Sequence, residues 1–250
     1  MTTDVSAPAP APAEPKPNSI ARIIGVLFSP DETFASIAKR PTWAAPLILL
    51  ILVSVASGIV MAPRVDWAGP AREQMESRTD ISAEQKEAGM RMAGAMGKVI
   101  TYAGPILAII FMLILAGILL LAFRLFGGEG TFAQAWSATL YAYVPNCIKS
   151  IVVLIVMVIK GGDKISPMAL PTLLRSNLAF LFDPKDNPMA FALAGQFDIF
   201  SIWVLILIII AFAHLAKVSK GKSAAIVISL WIIKCLLSLI GPAIQSLRRK

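Results

Sequence analysis

Five stretches of the chain are apolar over the length a bilayer crossing needs, and the segments between them are polar or interrupted by proline and glycine. A hydrocarbon core about 30 Å thick takes about 20 helical residues at 1.5 Å each. Residues 43–62, 99–123, 135–159, 197–216 and 224–243 meet that length. The first two contain no charge, with Trp43 placed at the headgroup level and Pro105 near the start of the second span. Asp198 opens the fourth, and Lys234 lies near the middle of the fifth, which Gly241-Pro242 closes. The pattern predicts an all-α integral membrane protein, a five-span transmembrane helix bundle with amphipathic interfacial helices before span one.

Those leading helices occupy residues 19–42. Ile20, Ile23, Ile24, Leu27 and Phe28 recur at one-face helical spacing, with Arg22 on the other side and Asn18 or Ser19 as N-cap. A second short helix begins at Ser29-Pro30-Asp31-Glu32, where Ser29 can cap, proline fits the first turn and Glu32 completes a capping box. It carries Phe34, Ile37 and Ala38 on one side and stops at Pro41. Two placements fit such helices: flat on the bilayer, or against the bundle's cytoplasmic face. Residues 1–18 alternate alanine and proline, bury nothing, and are expected to be a disordered tail without a secretory signal.

Between spans one and two, residues 63–98 hold six basic and six acidic side chains, and Ser82-Ala83-Glu84-Gln85 reads as a second capping box. Residues 168–182 are apolar but interrupted by Pro171 and Arg175, too short to cross, and so interfacial or re-entrant.

The third span departs most from a lipid-facing helix. Gly127, Gly128 and Gly130 make a tight turn, Thr131 is a candidate N-cap, and Pro145, Asn146 and Lys149 fall at membrane depth. Lipid alone selects against all three interior features, so this helix is expected to be broken at Pro145 and packed inside the bundle.

Composition agrees. The chain is 57% hydrophobic and 15% charged, against about 45–50% and 25% for soluble domains. Its formal net charge of +8 is spread over termini and short loops, which suits a membrane surface and not a nucleic-acid groove. The charges do not settle orientation: Lys217, Lys220 and Lys222 favour a cytoplasmic N-terminus, whereas Arg248, Arg249 and Lys250 oppose it. Cys147 and Cys235 sit in apolar runs as small buried hydrophobes. A single histidine, His214, precludes paired-histidine metal sites, and no motif implies a cofactor.

Three segments together resemble the prokaryotic branch of the Yip1-domain family. They are Phe28-Ser29-Pro30 with Glu32, Phe34 and Trp43; Gly128, Gly130-Thr131-Phe132 running to Tyr141-Ala142 and Val144-Pro145; and Asp198, Phe200 and Trp203. The resemblance implies a five-span domain with a cytoplasmic N-terminus. For eukaryotic members it implies vesicle trafficking through small GTPase partners and relatives of their own kind, a role that does not transfer simply.

Two functions follow as expectations. One is a non-enzymatic scaffold or organiser in the bacterial cytoplasmic membrane, contacting lipid and protein partners or other copies of itself. The other is a small transporter, channel or lipid-handling protein that uses Lys149, Lys234 and Asp198. Intramembrane lysines that snorkel or sit against carbonyls account for the same residues without transport.

Overall fold

The computed structural model describes residues 18–76, 78–162 and 164–248. The alanine- and proline-rich tail, apart from Asn18, and the last two basic residues lie outside this range. Twelve α-helices form along it: α1 Ser19–Phe28, α2 Pro30–Lys39, α3 Ala44–Arg64, α4 Gly69–Glu76, α5 Ala83–Tyr102 and α6 Gly104–Leu125, then α7 Phe132–Ala142, α8 Val144–Lys160, α9 Pro188–Ala194, α10 Ile199–Leu215, α11 Lys220–Ser238 and α12 Ile240–Arg248. Short 3-10 turns cover Pro167–Thr172 and Leu178–Leu181. Among the described residues there is no strand beyond two isolated bridges, Val65 with Ile165 and Asn177 with Asp198.

Four helical stretches are long and apolar enough to cross a bilayer: Ala44–Arg64, Gly104–Leu125, Phe132–Lys160 and Lys220–Ile244. The fourth expected span is α10, a shorter apolar helix of 17 residues. Boundaries also move. Residues 99–102 belong to α5, because the chain breaks at Ala103 ahead of Gly104-Pro105. Ser219 caps α11, so this helix begins four residues before the expected Ala224 and ends at Ser238; Gly241-Pro242 open α12 instead of closing a span.

Caps explain several starts. Asn18, Thr131 and Asp198 accept from backbone N–H groups in the first turns of α1, α7 and α10. Complete capping boxes form at Ser82–Gln85 and Thr131–Gln134. The box expected at Ser29–Glu32 does not form: the Ser29 side chain makes no capping bond, and the Thr33 hydroxyl takes its carbonyl at 2.8 Å.

The core sits around α7. Every residue from Ala135 to Ala142 is buried, and the small side chains Ala135, Ser137, Ala138 and Ala142 let α6 and α10 approach closely. Phe123 of α6 and Phe212 of α10 stack at 4.9 Å between centroids. α2 packs on α10 and α7 through Phe34 and Ile37, each 1% exposed. α1 has the opposite polarity to a soluble helix: Arg22 is buried, whereas Ile20, Ile24 and Phe28, one turn apart, face outward. The Arg22 guanidinium donates to the Ser36 carbonyl and hydroxyl, the Arg40 carbonyl and the Thr42 hydroxyl, at 2.7–3.1 Å. Burying a charge is tolerable only with such partners. The helix therefore turns an apolar stripe outward from the bundle.

Candidate functional site

α7 and α8 meet at Tyr143, two residues before Pro145. The proline falls in the first turn of α8, where its missing N–H disturbs the helix least. Directly after it comes Asn146, with Lys149 and Ser150 one turn further on the same side of α8. The Lys149 ammonium meets the Asp198 carboxylate at 2.9 Å. Lys149 retains 25% side-chain exposure and Asp198 only 1%.

Asp198 does two things at once. One carboxylate oxygen caps α10, accepting from the N–H groups of Phe200 and Ser201 at 3.0 and 3.1 Å. The other accepts from Lys149 and from the Ser176 hydroxyl. Ser176 arrives on the segment that holds the 3-10 turns, and its carbonyl also accepts from the Ile199 N–H at 3.0 Å. Asn177 beside it is buried, donates to the Pro171 carbonyl and caps the second turn at Ala179. Residues 166–182 thus fold over the start of α10 and close the pair from one side. A carboxylate so enclosed needs every one of these donors, because an unpaired buried charge is strongly unfavourable.

Lys149 lies 11 positions before the end of α8, roughly 16 Å along its axis. This ion pair therefore joins the second turn of α8 to the N-cap of α10. Lys234, by contrast, is exposed on α11 and forms no ion pair among the described residues. The three ionisable groups do not share one site.

A second polar cluster ties α2 to the far end of α10. Asp31 meets Lys220 at 2.6 Å and His214 at 3.0 Å, and Lys217 pairs with Glu129 at 2.7 Å. Lys220, then His214, hold the Asp31 carboxyl below the usual carboxylate range. The glycine turn lies against the same place: Glu129 donates its N–H to the Ala216 carbonyl at 3.0 Å, and Arg124 reaches the Gly130 carbonyl at 2.8 Å.

The remaining motif residues divide by burial. Phe34, Tyr141, Val144 and Pro145 are in the core, with the Tyr141 hydroxyl near Thr42 Oγ1 and the Ser19 carbonyl. Trp203 packs against the core and Phe200 is half-buried, whereas Phe28 and Phe132 are exposed. Gln134 donates to the Ala38 carbonyl at 2.7 Å, joining α7 to α2. Three separate sequence segments are thereby assembled around α10. Ser176 and Asn177 carried no periodic or motif signal in the sequence, nor did the bond between Asp31 and Lys220, which are 189 positions apart.

Comparison with known proteins gives the family. The Yip1 domain matches residues 24–241. The chain is similar to a Bacillus subtilis (strain 168) protein named membrane protein YknW, 26% identical over 227 residues, covering 90% of this chain and 91% of the relative. No solved structure matches the chain. With a domain match over nearly the whole helical assembly and four helices apolar and long enough to cross a bilayer, the chain is a multi-pass membrane protein of the Yip1 domain family.

Proposed function

We propose that this protein is a non-enzymatic scaffold of the bacterial cytoplasmic membrane, crossing five times with its N-terminus in the cytoplasm. The observation that carries this reading is the platform formed by α1 and α2. Arg22 joins α1 to α2, and Phe34, Ile37 and the Asp31–Lys220 pair dock α2 on the bundle, while Ile20, Ile24 and Phe28 point outward at 68%, 57% and 81% exposure. A fixed apolar stripe beside a charged helix end is suited to hold a partner or a bilayer at one orientation. The Lys149–Asp198 pair supports the same reading, since each charge is already met by the other instead of awaiting a passing ion. The fourth crossing in chain order is α10, whose 17 residues give roughly 26 Å of helix, with residues 166–198 covering the remainder.

Photocrosslinking in native membranes from probes at Phe28 and Phe132 tests the scaffold. Discrete protein adducts, of other copies or of a second protein, are expected at both positions. Monomer with lipid adducts alone would refute it. Impermeant thiol reagents should label Glu84→Cys from outside intact spheroplasts and leave Lys222→Cys unlabelled; the reverse pattern overturns the orientation.

A further inference from the structure

A cleft of about 260 Å³ lies between α3, α5, α6 and α8, apart from the ion pair. Its walls are mostly apolar, with Val53, Met61, Ala108 and Met112 among them, and no charged residue lines it. Two hydrogen-bonding groups on its wall are buried without a partner among the described residues: the Trp67 indole N–H and the Thr101 hydroxyl. Thr101 is only 7% exposed. Asn146 also lines the cleft, and no hydrogen bond to its side-chain amide forms among the described residues.

An orphaned buried donor is disfavoured by about 1–3 kcal/mol and calls for an explanation in a native fold. Packing places these donors closely: a Cβ at Gly58 would lie 2.8 Å from the Thr101 carbonyl, and one at Gly97 would overlap the Trp67 side chain. α3 and α5 therefore fix the two groups where they are. Ile100 and Phe111 line the cleft and are also 44% and 52% exposed, so its mouth opens onto the apolar outer surface. A molecule entering by this mouth passes between apolar side chains.

We propose that this cleft binds the uncharged glycerol-ester region of one membrane lipid, with its ester carbonyls accepting from Trp67 and Thr101. Donors without a compensating cation suit neutral ester oxygens and not a phosphate. The volume lies near the lower end of small-molecule pockets, which run about 300–1,000 Å³, so it takes the ester and upper chain and leaves the headgroup outside. This site is independent of the scaffold reading and of Lys149.

The test reconstitutes the full chain in phosphatidylethanolamine and phosphatidylglycerol vesicles containing a photoactivatable diester phosphatidylglycerol, and maps adducts by mass spectrometry. Adducts should concentrate on residues 50–61, 100–112 and 143–150, above the level on the outward face of α11. Ala108→Leu, which fills the cleft, should lower them about tenfold. Thr101→Val keeps the side-chain volume, removes the hydroxyl and should lower them about threefold. A diether probe lacking the carbonyls forfeits the bonds to both Trp67 and Thr101, and should label the parent cleft more weakly than the diester labels Thr101→Val. Even labelling of all lipid-facing helices, indifferent to both substitutions and to the ester, would overturn the site. Should Ala108→Leu fail to give a monodisperse protein, Thr101→Val and the diether probe decide the matter.

Discussion

Replacing Lys149 by methionine removes the ammonium from a carboxylate that is 1% exposed. Breaking one side of a buried ion pair commonly costs about 3–5 kcal/mol, mostly through the charge left behind. Here two features reduce the loss. Asp198 keeps the Ser176 hydroxyl and the N–H groups of Phe200 and Ser201, and Lys149, a quarter exposed, is itself only partly desolvated. The expected destabilisation is about 2–3 kcal/mol. Asp198→Asn retains a capping oxygen and leaves a lysine that can reach water, so about 1–2 kcal/mol is expected. The double variant should be less destabilised than the two singles summed, by at least about 1 kcal/mol, because neither charge is then orphaned. Equilibrium unfolding in mixed micelles, followed by far-UV circular dichroism as the denaturing detergent fraction rises, reads all four proteins. Lys149→Met within about 0.5 kcal/mol of the parent, or strict additivity of the pair, would refute the reasoning.

Asp31 gives a pH-dependent outcome. Its carboxyl is held below the ordinary value by Lys220 and then His214, so its contribution to docking α2 is present above the unfolded pKa of about 3.9 and is lost as pH falls through the lower folded value. The difference in melting temperature between parent and Asp31→Asn, measured in low salt, should be seen at pH 7 and shrink below about pH 4; a difference that grew on acidification would contradict the assignment. Gly130 has φ +120° and its missing Cβ would lie 2.4 Å from a Leu215 methyl, whereas Gly94 in α5 has nothing within 4 Å. Gly130→Ala should destabilise by about 1–3 kcal/mol and Gly94→Ala should stabilise by about 0.5–1 kcal/mol in the same unfolding assay; the opposite order would sink the account of the turn.

What the sequence determined by itself were the properties set within one or two helical turns. Runs of apolar residues announced the helices that can cross lipid, because backbone groups in hydrocarbon must be satisfied within the segment. Asn18, Ser82, Thr131 and Asp198 marked helix starts, since a cap needs only neighbours two or three positions away. Pro145 announced the break beside Tyr143 for the same local reason. At Ser29 the local signal failed, because its N–H, which a capping box would give to Glu32, already donates to the Gly25 carbonyl at the end of α1 at 2.7 Å. Tertiary structure decided the rest. Lys149 and Lys234 are alike in sequence, each a lysine within an apolar run of a helix, yet only Lys149 faces Asp198 across 49 positions. Nothing local separates them: which lysine is paired depends on how α8 and α10 cross and on Ser176 folding back over the carboxylate. The same holds for Arg22, whose partners come from α2 and the linker that follows it, and for the cleft at Thr101, which exists only where four helices leave space between them. Helices are specified by nearest neighbours along the chain; the partners of a buried charge are specified by packing.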